Sequence, residues 1–161
     1  MDVGNATIDE LRTALAEGRT TASALARACL ARIEAYDRAG PGLNAVREVN
    51  PDALAIAASL DGVTPSHDKP LAGIPILLKD NIATGDRTHT TAGSLALAEA
   101  RGKRDATLVA RLRQAGAVIL GKANLTEFAN ILAIDMPSGY SSLGGQVKNP
   151  YAPALDERGV P

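Results

Sequence analysis

Residues 73–82, GIPILLKDNI, place Lys79 directly after a short apolar run. Residues 74–78 show no polar alternation, which is typical of a strand that is buried on both faces. Burial disfavours the charged form of an amine and lowers the pKa of a lysine, so a lysine at such a strand end can act as a general base. The alternative is a surface lysine that ends a strand, and spacing alone favours it because charged residues commonly finish strands.

Two further patterns have the form of a site without the matching chemistry. Residues 116–122, GAVILGK, satisfy most of a phosphate-binding loop. The residues between the two glycines are strand-like, however, and Ala123 stands where a hydroxyl would hold magnesium, so we predict no nucleotide site. His67 and His89 lie far apart without a cysteine or acidic cluster at ligand spacing, and we therefore predict no metal site and no cofactor.

The composition argues against several classes of partner. The 161 residues carry 17 basic and 18 acidic side chains, and this net charge of -1 offers no attraction to nucleic acid or to an anionic membrane. No segment is apolar for long enough to span a membrane, and the N-terminus lacks the pattern of a signal peptide. We expect a cytoplasmic protein whose single cysteine, Cys29, packs as a small hydrophobic side chain.

Helical and strand-like periods alternate along the chain and predict an α/β fold. Thr7 and Glu10 form a capping box before a short helix that ends at Gly18. A second helix is predicted to begin at Thr20 or Thr21 and to run through residue 39. The further elements predicted are helices at 51–60 and 105–114, strands at 43–49, 74–78 and 117–120, and a helix from residue 124. Pro75 implies that its strand lies at a sheet edge or contains a bulge.

The domain organisation predicted from these elements is one incomplete unit. It has a helical region at about 1–60, the start of an α/β core at about 71–134, and a loop-like tail at 135–161 that is rich in glycine, proline, serine and asparagine. No internal repeat or interdomain linker is visible. We therefore expect a single structural unit and not several modules.

Four motifs follow one another from residue 73 onward. They are GIPILLKDNI at 73–82, TTAGSLAL at 90–97, DATLVARLRQAGAVILGKANLTEFA at 105–129 and GGQVKNPY at 144–151. In this order they resemble the amidase-signature family. The resemblance implies the N-terminal part of an α/β fold with a mixed sheet and surrounding helices. It also implies that the family's Ser- and Gly-rich signature, which follows the NPY segment, is absent, because the sequence ends at Pro161.

Members of this family hydrolyse amides with a serine nucleophile, a second serine and a lysine of the GIP...KDN segment, which Lys79 matches. Spacing alone favoured a surface lysine at a strand end, but the resemblance makes Lys79 the predicted catalytic residue. Asp80 is expected to fix the backbone of its loop, and Ser94 either to hydrogen bond around Lys79 or to stabilise a turn. Ser141 and Ser142 precede the NPY segment, so we predict that they are loop residues near the substrate cleft and not the catalytic pair.

Three functions are compatible with the resemblance. The first is an amidase that acts on a small or peptide-like carboxamide, with the isolated chain inactive because it lacks the two serines. The second is the amide-hydrolysing subunit of a glutamine-dependent tRNA amidotransferase, which typically has Asn-Met-Asp-Glu-Phe where residues 124–128 are Asn-Leu-Thr-Glu-Phe. The third is a non-catalytic truncated product. The possible protein partners are a second copy of this chain, in a homo-oligomer, or a missing C-terminal portion.

Overall fold

The structure, a computed structural model, describes residues 2–152. Helix α1 is Ile8–Ala16, and the predicted capping box is present: the Thr7 hydroxyl accepts from the Glu10 amide while the Glu10 carboxylate accepts from the Thr7 amide. Helix α2, Ala22–Arg32, begins after Thr21, whose side chain accepts from the Ala24 amide. Both predicted helix starts are therefore confirmed, and each is stabilised by a side-chain cap worth about 1 kcal/mol.

A π-helix at Ile33–Arg38 continues α2 towards the predicted end near residue 39. Its residue Asp37 is buried and accepts hydrogen bonds from the amides of Ala45 and Val46. Gly40 closes the segment with a φ of +53°, and a β-carbon there would lie 2.7 Å from the Ala35 carbonyl oxygen. The wide helical turn thus aims Asp37 at the chain that enters the sheet.

A three-stranded sheet contains β1 (Val46–Val49), β2 (Pro75–Lys79) and β3 (Val118–Ala123) in the order β1-β3-β2. The central strand β3 is antiparallel to β1 and parallel to β2, so the sheet is mixed, as predicted. Pro75 is the first residue of β2, which lies at the edge of this sheet and shifts register between Ile76 and Leu77. Both parts of the Pro75 prediction are confirmed, because an edge position and a strand start require no donor from proline.

Small side chains let α2 and helix α3 (Ala53–Ser59) pack closely on one face of β3. This cluster consists of Ala22, Ala26, Ala53, Ala57, Val118 and Leu120, all buried. On the opposite face, Ile119 packs with Leu78 and with Val109 of helix α4, Thr107–Gln114. Because successive strand residues point to opposite faces, β3 is covered on both sides by an aliphatic, alanine-rich core.

Two predicted boundaries and one predicted helix differ from the structure. The strand predicted at 43–49 begins only at Val46, because Asn44 has a φ of +55° that an extended strand cannot contain. Ala106, not Asp105, is the N-cap of α4, since the Asp105 carboxylate accepts from the Gly85 amide and from Arg113 instead. No helix starts at residue 124. The chain there forms only a short turn at Glu127–Asn130 with positive φ at its last three residues.

In residues 135–152, the described part of the tail predicted as a loop, the chain forms one small hairpin. Its strands are β4 (Tyr140–Ser141) and β5 (Gly145–Gln146), which pair antiparallel. The rest of residues 135–152 is irregular, as expected. Residues 153–161 of the predicted tail lie outside the described part of the chain.

Candidate active site

Lys79 is the last residue of β2 and lies beside Ala123 in the parallel ladder. Its side chain is exposed, and Leu77, on the same face of the strand, is 37% exposed. The prediction that β2 is buried on both faces is therefore wrong for the described residues. The physical reason is its edge position: β3 covers one side of the strand, and Leu78 alone among residues 77–79 points into the core.

Asp80 follows Lys79 and is fully buried. Its carboxylate accepts a hydrogen bond from the Thr91 hydroxyl and another from the Thr91 amide at 3.3 Å. Its own backbone amide donates to Ala123 at 3.1 Å, and its carbonyl accepts from the Ala92 amide at 3.1 Å. These bonds tie the chain leaving β2 to the loop at 90–93, which is the holding geometry expected of Asp80. That Asp80 serves the site in this way, and not by transferring protons, stays a prediction.

The turn at residues 91–93 is the point where the loops around Lys79 meet. Ala92 and Gly93 have φ of +51° and +78°. The Ala92 carbonyl accepts from Phe128 at 2.9 Å, and the Gly93 carbonyl accepts from Leu143 at 3.0 Å. A β-carbon on Gly93 would lie 2.7 Å from the Ser141 β-carbon, so only glycine permits this approach.

The three serines named from the sequence lie around this turn. Ser94 is buried directly after it, Ser141 is buried in β4, and Ser142 is exposed. The Ser141 hydroxyl donates to Asn124 Oδ1 at 3.2 Å and accepts from the Gly144 amide, while the Ser142 hydroxyl accepts from the Leu95 amide at 3.0 Å. Within residues 2–152, no hydrogen bond joins these serines to Lys79. The Ser94 amide donates to the Thr91 carbonyl at 3.0 Å, and the role of the Ser94 side chain stays a prediction.

Glu127 connects the loops around the 91–93 turn and was not singled out from the sequence as a site residue. Its carboxylate accepts from the Ser142 amide at 2.8 Å. Hydrogen bonds from Ser142 and from Ser94 hold the pKa of Glu127 below its usual range, because they stabilise the ionised carboxylate. The signal available in the sequence was its place in residues 124–128, but nothing in that motif indicates a bond to a serine fifteen positions later.

Lys122, near the end of β3, was also missed as a residue of interest. It is fully buried, and its ammonium Nζ donates to the Ile82 carbonyl at 2.7 Å and to the Thr90 hydroxyl at 3.0 Å. Burial lowers the pKa of Lys122, and the negative charge of Asp80 opposes this effect. The desolvated lysine that the sequence suggested at Lys79 is thus found at Lys122.

The remaining patterns have structural explanations. Residues 118–122 of the phosphate-loop-like segment lie in β3, so the strand predicted between its glycines is present. His89 has its Nδ1 atom 2.9 Å from a Glu48 carboxylate oxygen, and His67 lies in an exposed loop. Cys29 is half-buried, and burial raises the pKa of its thiol. In the described part of the chain, no helix is long and apolar enough to cross a bilayer.

A family model described as Amidase matches residues 24–157, which include every loop of the candidate site. The chain belongs to the amidase-signature family. The four α-helices and the mixed sheet of residues 2–152 correspond to the N-terminal part of the amidase-signature fold. Native peptide amidase from Stenotrophomonas maltophilia is 47% identical, with a TM-score of 0.87 over 93% of this chain and 31% of that structure.

Two other relatives of this amidase-signature chain differ in their named functions. A probable amidase of Arabidopsis thaliana is 43% identical over 98% of this chain and 31% of its own length. A glutamyl-tRNA(Gln) amidotransferase subunit from Koribacter versatilis is 42% identical over 93% of this chain and 30% of its own length. The chain therefore spans less than a third of the relatives that it matches, and overall identity does not separate the two activities.

Proposed function

We propose that this chain supplies the general base of a serine-dependent amidase, with Lys79 as that base. The observation that carries the proposal is the position of Lys79 in the GIPILLKDNI motif, at the exposed end of β2 beside the 91–93 turn. The serine nucleophile and the second serine would come from polypeptide outside this sequence. The 161 residues would then form one incomplete domain, and the isolated chain would be inactive.

The proposed reaction gives each group one task. Neutral Lys79 accepts a proton through the second serine from the nucleophilic serine, whose oxygen attacks the amide carbonyl. Backbone amides beside the nucleophile stabilise the oxyanion. The relayed proton goes to the leaving nitrogen, which departs as ammonia, and water then hydrolyses the acyl-enzyme to the carboxylic acid. The exposed side chain of Lys79 would be covered by the polypeptide that contributes the serines, since a dry site favours the neutral amine.

A peptide-like carboxamide is the proposed substrate class. It is supported by the peptide amidase that shares 47% of residues with this chain. Ser141 and Ser142, in the hairpin that packs on the turn, are the proposed loop residues near the substrate. The amidotransferase alternative is supported by a 42% identical relative, but residues 124–128 depart from the Asn-Met-Asp-Glu-Phe segment typical of that branch. Ammonia release from a carboxamide without other subunits would separate the two.

The test is a graft in which this chain replaces the matching segment of the Stenotrophomonas maltophilia peptide amidase. We expect the graft to release ammonia from a peptide carboxamide and the isolated chain to release none. Lys79→Ala should lower kcat at least about a hundredfold, since general-base catalysis typically contributes that much. Lys79→Arg should be nearly as damaging, because a guanidinium does not deprotonate. Exposed Lys103 provides the matched control, Lys103→Ala, which should retain full activity.

Two results would contradict the proposal. One is an inactive wild-type graft with the circular dichroism of the parent enzyme. The other is a correctly folded Lys79→Ala graft that keeps more than about a tenth of wild-type kcat, which is too much for an enzyme without its base.

A further inference from the structure

Two adjacent threonines, Thr90 and Thr91, are each held by a different buried charge. The Asp80 carboxylate, directly after β2, accepts hydrogen bonds from the hydroxyl and from the amide of Thr91. The Lys122 ammonium, on β3, donates to the hydroxyl of Thr90. Both charged side chains are fully buried, so the loop that carries the 91–93 turn is attached to the ends of two neighbouring strands.

Lys122 also binds the other end of this loop. Its second bond, 2.7 Å long, goes to the Ile82 carbonyl, two residues after Asp80. The ammonium therefore spans the start and the end of the excursion from residue 82 to residue 90. In the described part of the chain, Lys122 has no ion pair within 4.0 Å, so these two neutral oxygens are its direct partners.

Filling the core does not explain a lysine at this position. Methionine has a similar length and would occupy the same space without the desolvation cost of an ammonium group. What methionine cannot do is donate to the two oxygens at once. The two hydrogen bonds that fix Ile82 and Thr90 therefore explain best why a lysine occupies position 122 despite its desolvation cost.

We propose that Lys122 is a positioning residue for the candidate active site: it fixes Ile82 and Thr90 and thereby holds the 91–93 turn at the end of β2. The 91–93 turn also binds Asp80, the residue after Lys79, through the Ala92 amide and the Thr91 side chain. The positioning role stands on the geometry alone. The catalytic consequence rests on the proposed function.

The first experiment measures amide hydrogen exchange by mass spectrometry in the 161-residue chain. Thr90→Val removes the hydroxyl that Lys122 binds and keeps the side-chain shape, and Lys122→Met removes both bonds. We expect exchange of the Thr91 and Ala92 amides to rise about tenfold in both variants, the effect of losing a hydrogen bond to a charged group. Thr90→Ser should restore the wild-type rate, while the amides of β3 stay protected.

Thr84→Val is the matched control. Thr84 is a fully buried threonine of the same loop, and its hydroxyl bonds Thr88 at 2.8 Å and not Lys122. Exchange at residues 91 and 92 that is equal in Thr90→Val and Thr84→Val would overturn the positioning role, as would an equal rise at all core amides. If Lys122→Met does not fold, the Thr90 variants decide the question, because they leave Lys122 in place.

The second experiment measures kinetics in the graft. Thr90→Val should lower kcat about tenfold at unchanged KM, which matches the expected rise in hydrogen exchange. Thr90→Ser keeps the hydroxyl and should keep the wild-type kcat. Faster exchange without a loss of kcat would refute the catalytic consequence and leave the proposed function intact. An inactive wild-type graft would instead refute the proposed function and leave the exchange result standing.

Discussion

Strands β2 and β3 lie side by side and parallel, and each carries a lysine near its end, yet the two lysines have opposite environments. Along β3, residues 118–122 are all buried, and Lys122 is enclosed completely. Along β2, Leu77 and Lys79 are exposed. The local sequences are similar, an apolar run followed by lysine, so the hydrophobicity of the run does not decide the environment of the lysine.

Position in the sheet explains the difference. β3 has a strand on each side and helices on both faces, whereas in the described residues β2 has one neighbouring strand. An ammonium group inside β3 must therefore find oxygen partners in the protein, and it finds Ile82 and Thr90. The ammonium group at the end of β2 stays in solvent and remains available to a substrate or to further polypeptide.

The largest difference between the two strand ends should appear in stability. Lys122→Ala leaves a cavity and two oxygens without their donor, so we expect the free energy of unfolding to fall by about 3 kcal/mol. Lys79→Ala removes an exposed side chain and should change it by no more than about 0.5 kcal/mol. Urea denaturation of both variants measures the contrast. Equal losses would show that the two lysines do not differ in their structural role.

The turn above Lys79 should be nearly as sensitive to a single methyl group. In Gly93→Ala the new β-carbon meets Ser141 at 2.7 Å on a backbone with φ of +78°, so we expect a loss of about 2 kcal/mol from strain and overpacking together. Gly62→Ala is the control, because Gly62 has a φ of +82° and nothing within 4 Å. Its loss should be about 1 kcal/mol, from backbone strain alone. Similar losses at both glycines would argue against close packing of the hairpin on the turn.

The smallest effect is a difference in the pH dependence of stability. Burial places the pKa of folded Lys122 below its usual value of 10.5, although Asp80 opposes the shift. At pH values between the folded pKa of Lys122 and 10.5, the unfolded chain binds more protons than the folded chain. The free energy of unfolding therefore rises with pH in this range. This contribution is complete above 10.5 and is lost as the pH falls through the folded pKa.

Urea midpoints measured from neutral pH to pH 10.5 test this contribution. The wild type should gain stability relative to Lys122→Met as the pH rises. A wild-type slope in Lys122→Met would mean that the buried amine does not titrate differently from a free one.

Features set by local sequence could be predicted well. The capping box at Thr7, the helix after Thr21 and the edge position of Pro75 each depend on a few neighbouring residues, and all three are confirmed. The fold class followed from the alternation of helical and strand-like periods together with the four motifs. The helix predicted from residue 124 failed because Asn124 bonds Asn44 and Gly144, partners that are distant in sequence.

The environment of each candidate site residue could not be predicted, because it depends on strand order. Pro75 indicated that β2 lies at a sheet edge or contains a bulge, but the sequence does not indicate that β3 lies between β1 and β2. The buried lysine that follows an apolar run is Lys122 and not Lys79. The apolar run at 117–120 precedes Lys122 just as the run at 74–78 precedes Lys79, so the two could not be told apart in the sequence. The left-handed turn at Phe128 and Ala129 gave no signal either, since neither residue type favours positive φ.

The π-helix at Ile33–Arg38 determines which changes in chain length the protein can accept. Its wide turn closes with a bond from the Ala39 amide to the Glu34 carbonyl, five residues back. Deleting one residue there would rotate Asp37 by about 100° around the helix axis, away from the amides at the entry to β1. Insertions and deletions among relatives are therefore expected in the exposed loop at 61–70 and not between residue 33 and β1.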